Sequence, residues 1–252
     1  MSIARIAVFA SESALSLPAQ ALAQELNLPL ADNPELYDYV LILTSDYLGL
    51  QKKGDKLPLY IDFLSGQLTY RRQHSGLRRE SLARAMGLKA KIHPTIVDAT
   101  AGLGRDSFIL ASLGFNVILL ERSPLIHALL KDAITRALQN PEVAAIANRM
   151  QLVHTDAITW MQQVPPQHRP NIIYLDPMFP DRTKSALVKK DMRIFNDVIG
   201  NDPDSDLLFT TALTCATQRV VVKRSRLAAN LAGISPAFCL KGSSSRFDVY
   251  MR

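Results

Sequence analysis

Apolar and polar positions along the chain change rhythm near residue 93. Before it, residues 3–9 alternate and are rich in β-branched side chains, 18–26 have the spacing of a short helix, and 39–43 form a compact apolar run typical of a buried strand. Residues 59–63 and 67–71, separated by Leu64-Ser65-Gly66, are expected to pair as a hairpin. Ser75-Gly76 then opens a predicted helix that runs through Met86 and stops at Gly87. These elements predict a small α/β domain over residues 1–92.

From residue 93 onward, strands alternate with helices, which predicts a mostly parallel sheet covered on both faces. Strands are expected at 95–98, 116–120, 150–153, 171–175, 218–223, 236–240 and 246–251. Helices are expected at 105–113, 124–139, 142–148, 156–162, 204–216 and 225–232. The last strand follows the tight turn Gly242-Ser243-Ser244-Ser245. Residues 93–252 therefore predict a Rossmann-like, doubly wound, seven-stranded sheet whose last strand inserts antiparallel.

Composition narrows this picture. A chain of 252 residues, 48% hydrophobic, can bury a core without disulfide staples. Cys215 and Cys239 lie at no metal-ligand spacing, and the N-terminus lacks the pattern of a secretory signal. With no apolar run of about twenty residues to cross a bilayer, a cytoplasmic protein without a membrane partner is expected. Five scattered histidines give no metal-binding pattern, and neither a Gly-x-Ser-x-Gly elbow nor a Walker loop is present. No metal is expected.

Two segments carry the candidate chemistry. In Val97-Asp98-Ala99-Thr100-Ala101-Gly102-Leu103-Gly104-Arg105-Asp106, a strand ends at Asp98 and glycines at 102 and 104 let the backbone approach a ligand. A third glycine, needed to seat a pyrophosphate, is replaced by Ser107. Glu121 ends the next strand about twenty residues later, where a carboxylate accepts from ribose hydroxyls. Asp156 follows the third strand, placed either to accept from an adenine amine or to cap a helix. These acids at successive strand tips point to S-adenosylmethionine as cofactor, with S-adenosylhomocysteine as product.

The second segment, Ile172-Ile173-Tyr174-Leu175-Asp176-Pro177-Met178-Phe179-Pro180, resembles the Asp/Asn-Pro-Pro-Tyr/Phe motif of amino-methyltransferases acting on adenine N6 or guanine N2, with Met178 in place of the second proline. Asp176 and the Pro177 carbonyl are candidate acceptors for an exocyclic amine, and Phe179 is a candidate stacking ring for an extruded base.

Charge placement adds a partner. The net charge is +6, and residues 71–91 hold seven basic side chains against Glu80 alone, a local excess equal to the whole. Such a stretch suits a polyanion. Arg71, Arg72, Arg78 and Arg79 are candidate phosphate contacts, as are Lys184, Lys189, Lys190 and Arg193 after the second motif and Lys223 and Arg224 at a later strand tip.

The runs Asp98-Ala99-Thr100-Ala101-Gly102-Leu103-Gly104-Arg105-Asp106, Leu120-Glu121-Arg122, Tyr174-Leu175-Asp176-Pro177-Met178-Phe179-Pro180, Lys184-Ser185-Ala186-Leu187-Val188-Lys189-Lys190 and Arg219-Val220-Val221-Val222-Lys223-Arg224 together resemble the ribosomal RNA small subunit methyltransferase J family. The resemblance implies a bacterial class I S-adenosylmethionine-dependent enzyme that methylates N2 of a guanosine near the 3′ end of small-subunit ribosomal RNA, free or within an assembling particle. It also implies cofactor contacts at Arg105, Asp106, Glu121, Arg122, Asp156, Ala157 and Asp176. From the residues alone, an adenine-N6 methyltransferase, a non-catalytic RNA-binding module and a nicotinamide oxidoreductase remain rival readings.

Overall fold

A computed structural model describes residues 4–74, 76, 80–89, 92–177, 198 and 203–252. The chain divides into two compact units, one of residues 1–62, 123–136 and 180–201 and the other of 63–122, 137–179 and 202–252. Residues 63–92, which the sequence grouped with the N-terminal elements, thus belong with the larger unit.

In the smaller unit, β1 (Ile6–Ala10) pairs parallel with β2 (Tyr39–Leu43), which pairs antiparallel with β3 (Leu48–Lys52). Helix α1 (Ser16–Glu25) packs on β1 through buried Ala19 and Ala23. Thr44 makes the β2–β3 turn: its Oγ1 donates to the Tyr47 carbonyl and accepts from the Tyr47 amide. β3 was not expected, because Gly49 interrupts its short apolar run.

The predicted hairpin of 59–63 with 67–71 does not form. Leu59 instead bridges Leu50, and residues 66–74 are helix α2 (Gly66–His74). The alternating Leu68 and Tyr70 read as one face of a strand. In the helix they point apart: Leu68 is buried and Tyr70 is 64% exposed. Helical spacing also sets Arg71 three residues from Leu68, on the inward side. The helix expected from Ser75 is confined among the described residues to α3 (Ser81–Ala85), whose first turn is capped by the Glu80 carboxylate accepting from the Leu82 amide.

The larger unit's sheet contains β4 (Ile96–Asp98), β5 (Val117–Glu121), β6 (Met150–His154), β7 (Ile172–Leu175), β8 (Arg219–Ser225), β9 (Phe238–Lys241) and β10 (Ser245–Met251), in the order β6-β5-β4-β7-β8-β10-β9. The first five of these run parallel to their neighbours, and β10 inserts antiparallel between β8 and β9. This is the doubly wound sheet and final antiparallel insertion that the sequence predicts. Helices α4 (Arg105–Ser112), α5 (Pro124–Gln139), α6 (Ala144–Ala147), α7 (Ala157–Gln163) and α8 (Ser205–Cys215) fill most of the expected helical positions. α5 belongs to the smaller unit through Arg136.

Under α8, Leu175, Phe209, Val220, Val222 and Tyr250 form part of one buried cluster, with the Phe209 and Tyr250 rings edge to face. A helix at 225–232 is absent. β8 runs on to Ser225, and only a short 3-10 turn at Leu231–Gly233 follows. The segment has helix-forming residues, but its carbonyls are taken by arginines from the sheet, as described below.

Candidate active site

Chain order and strand order diverge between β4 and β7, which are neighbours although β5 and β6 lie between them in sequence. At such a switch the loops leaving the strand tips part and leave a crevice. Asp98 pairs with Tyr174 in register, and the Ala99 amide donates to the Tyr174 carbonyl. One residue further, the Asp176 amide donates to Thr100 Oγ1 at 2.7 Å. The two motifs, far apart in sequence, are therefore tied together at one rim.

The first motif turns as its glycines allow. Gly102 and Gly104 have φ of 51° and 67°, in the left-handed region where a Cβ costs energy. Glu121, buried at the tip of β5, accepts from the Gly102 amide at 3.0 Å and so fixes the turn against its neighbouring strand. Gly104 precedes the first turn of α4, which directs that helix's N-terminus at the rim.

Register explains why the polar groups cluster. Residues paired across strands share a face, so Asp98 and Tyr174 point the same way, and Asp176 and Lys223 continue the pattern at the tips. Lys223 Nζ donates to Asp176 Oδ2 at 2.8 Å and to Asp106 Oδ2 at 2.9 Å. Asp106 Oδ2 also accepts from the Tyr174 hydroxyl at 2.7 Å. Arg71, brought in by α2, donates to Asp106 Oδ1 at 2.7 Å and reaches both Glu80 oxygens at 2.9 and 3.1 Å.

These pairings set the protonation states. Burial opposes ionisation of Asp106, but Lys223 and Arg71 more than offset it and hold its carboxyl well below the usual range. Burial opposes the charge on both cations, but Asp106 and Asp176 hold Lys223 charged, and Glu80 and Asp106 do the same for Arg71. Burial raises Asp176 above the ordinary value and Lys223 opposes the rise. Asp98 is pushed up to about 7, chiefly by burial, despite bonds from Ser107 Oγ at 2.6 Å and the Thr100 amide at 3.2 Å.

The site residues expected from sequence separate into groups. Asp98, Gly102, Gly104, Asp106, Glu121, Asp176 and Pro177 lie at or next to the linked rim. Arg105 opens α4, and Arg122 pairs with Asp204 at 2.7 Å. Asp156 caps α7, its Oδ1 accepting from the Thr159 amide and hydroxyl, and Ala157 begins that helix. Phe179, Arg78, Arg79, Lys184, Lys189, Lys190 and Arg193 lie outside the described residues.

Among the basic candidates, Arg71 and Lys223 are drawn into the carboxylate network, and Arg72 lies against Glu142, donating to its carbonyl at 3.3 Å. Arg224 is buried in the sheet, and its guanidinium donates to the Ala229 carbonyl at 2.7 Å. Alternating charge at a strand end looks alike whether it faces inward or outward, and only the partner strand decides. Sequence reasoning missed Thr100, Ser107, Tyr174 and Glu80. Tyr174 alone had a signal, standing two residues before Asp176 and hence on its face.

The donor set fits S-adenosylmethionine. Glu121 at the tip of β5 is an acceptor of the kind ribose hydroxyls need, whereas Asp156 after β6 is engaged in capping α7. Gly102 and Gly104 put no Cβ in the way of a close approach, and Asp176, with a 40% exposed side chain, would supply negative charge to a sulfonium. Glu121, Gly102 and Gly104 would hold the nucleoside.

Comparison with known proteins agrees. A family model described as "Putative SAM-dependent methyltransferase" matches residues 21–252. The chain is similar to ribosomal RNA small subunit methyltransferase J of Thioalkalivibrio sulfidiphilus, 46% identical over 253 residues and covering 100% of this chain and 99% of that one. The protein of the same name from Nitrosococcus oceani is 46% identical over 236 residues, 92% of this chain and 93% of its own. A solved structure, the SAM-dependent methyltransferase of Neisseria gonorrhoeae, aligns with a TM-score of 0.75 at 36% identity over 97% of this chain and 95% of that one.

Proposed function

The chain belongs to the ribosomal RNA small subunit methyltransferase J family of S-adenosylmethionine-dependent methyltransferases, and from this we propose that it methylates the exocyclic N2 amine of a guanosine in small-subunit ribosomal RNA. The observation that carries the chemistry is the tie between motifs: the Asp176 amide on Thr100 and the Asp176 carboxylate on Lys223.

An exocyclic amine is a poor nucleophile because its lone pair is delocalised into the ring. Asp176 and the Pro177 carbonyl accept its two hydrogens, which favours a tetrahedral nitrogen with the lone pair turned toward the cofactor side of the rim. S-adenosylmethionine supplies the electrophilic methyl group. As positive charge grows on nitrogen, the Asp176 carboxylate stabilises it and then takes the proton, while Lys223 keeps the carboxylate aimed. Phe179 stacks on the base and excludes water from it.

Family membership supports the RNA substrate, and the basic segments at 71–91 and 182–193 supply a polyanion's counterpart. Short RNAs offering either a guanosine or an adenosine, incubated with labelled S-adenosylmethionine, test the choice of amine. Label in N2-methylguanosine is the expected result. Label in N6-methyladenosine alone would replace the proposal with the rival use of the same tetrad.

A further inference from the structure

Two buried arginines have no task in the site just described. Arg224 on β8 and Arg246 on β10 are directly paired across strands, an arrangement of like charges that ordinarily destabilises a sheet. The neighbouring Asp248, also buried, neutralises part of this by accepting from Arg246 at 2.8 and 3.0 Å. What the two guanidiniums otherwise hold is the loop that follows β8.

Arg246 donates to the carbonyls of Ser225, Arg226 and Ala228 at 3.4, 2.9 and 2.8 Å and reaches Asn230 Oδ1 at 3.3 Å. Arg224 donates to the carbonyl of Ala229. The Ala228 amide closes a turn on the Ser225 carbonyl, and the Arg226 amide is tied to Ser244. The backbone is thus fixed on both sides of Leu227, a residue that is itself 94% exposed.

A leucine so displayed on a flexible loop would mean little. On a loop clamped at four carbonyls, beside exposed Arg226, it is a fixed projection. Leu227 follows the carboxyl end of β8, no more than about 14 Å of chain beyond Lys223, which touches Asp176.

We propose that loop 225–230 is a braced finger whose Leu227 enters the gap left when the target base turns out of the RNA stack. The proposal rests on the RNA-methylating reading above. Extruding a base costs stacking energy, and an apolar side chain inserted between bases offsets that cost. Arg226 beside it suits the flanking phosphate. Because the finger is held from the sheet, no ordering of the loop is needed when RNA arrives.

The test uses the full chain and two hairpin RNAs of one sequence, with the target guanosine stacked in a helix or displaced in a bulge, and 2-aminopurine as its neighbour. Leu227→Ala is expected to lose about tenfold in kcat/KM on the stacked hairpin and to change little on the bulged one. The rise in 2-aminopurine fluorescence on binding should shrink, while Leu227→Met keeps both. Melting temperature and S-adenosylmethionine affinity should match wild type, as suits an exposed residue. Wild-type behaviour of Leu227→Ala on the stacked hairpin overturns the proposal. So does an equal loss on both hairpins with weakened donor binding, which would assign Leu227 to covering the protein's own site. Wild-type protein that unstacks the reporter in a Leu227-dependent way, yet transfers no methyl to guanine, would support the finger and count against the guanine reading.

Discussion

Lys223 is the side chain on which the site's electrostatics turn, since one ammonium bridges Asp106 and Asp176. Burial pushes Asp176 up and Lys223 pulls it down. Removing the lysine therefore leaves burial unopposed. Lys223→Met should move the acid limb of the kcat/KM profile to higher pH and lower kcat by about a hundredfold through a misplaced carboxylate, whereas Lys223→Arg should restore most of the rate. Were Lys223 only a phosphate contact, KM for RNA and its salt dependence would change and the acid limb would stay. Asp98 gives a second prediction. Its carboxyl is pushed up to about 7 in the folded protein, so between about pH 4 and 7 the unfolded chain gives up this proton first. Its contribution therefore lowers stability as pH rises through that window. Asp98→Asn should flatten the decline, measured by denaturant unfolding at several pH values; a profile identical to wild type would contradict the assignment.

At the scale of elements, α3 is seated by Gly87. The residue has φ of +66°, and an added Cβ would lie 2.5 Å from the Arg219 guanidinium, which donates to the Ala85 carbonyl at 3.1 Å. Gly87→Ala should cost about 1–2 kcal/mol for the left-handed backbone alone, with more as Arg219 is displaced, read as a lower unfolding midpoint. The parallel strands were legible because β5, β7 and the middle of β8 are continuous apolar runs and the strands alternate with helical segments, and the antiparallel insertion of β10 followed from the tight turn at Gly242. The glycine turn and Asp176 were legible because their chemistry needs those residue types at strand tips. α2 was not, since Leu68 and Tyr70 alternate as a strand would and only packing separates them. The loop after β8 was misread as helix for a related reason: Arg224 and Arg246, which hold its carbonyls, are cross-strand neighbours that no local pattern reveals. Nor does any local pattern show that Arg71 meets Asp106 and Glu80.

For the molecule as a whole, the proposed reacting rim lies within the larger unit. The basic segments 71–91 and 182–193 are proposed to contribute to RNA contact. Among the described residues, no helix is long and apolar enough to cross a membrane. With Arg71 and Lys223 committed to carboxylates, the proposed electrostatic footprint falls on Arg78, Arg79 and the 182–193 run. Replacing Arg78 and Arg79 by alanine should weaken RNA binding and reduce the salt slope by about 1 per lost phosphate contact, leaving S-adenosylmethionine affinity intact; an unchanged slope would remove these residues from the interface. In the proposed reaction, Asp176, held at its junction with Thr100, positions guanine N2 to take the methyl group of S-adenosylmethionine. The most direct test is to incubate small-subunit ribosomal RNA lacking the modification with wild-type and Asp176→Ala protein and deuteromethyl S-adenosylmethionine, then weigh the released nucleosides. Deuterated N2-methylguanosine formed by wild type, and reduced at least about a hundredfold in the variant, is the predicted result. An Asp176→Ala protein that labels guanosine as fast as wild type would contradict it.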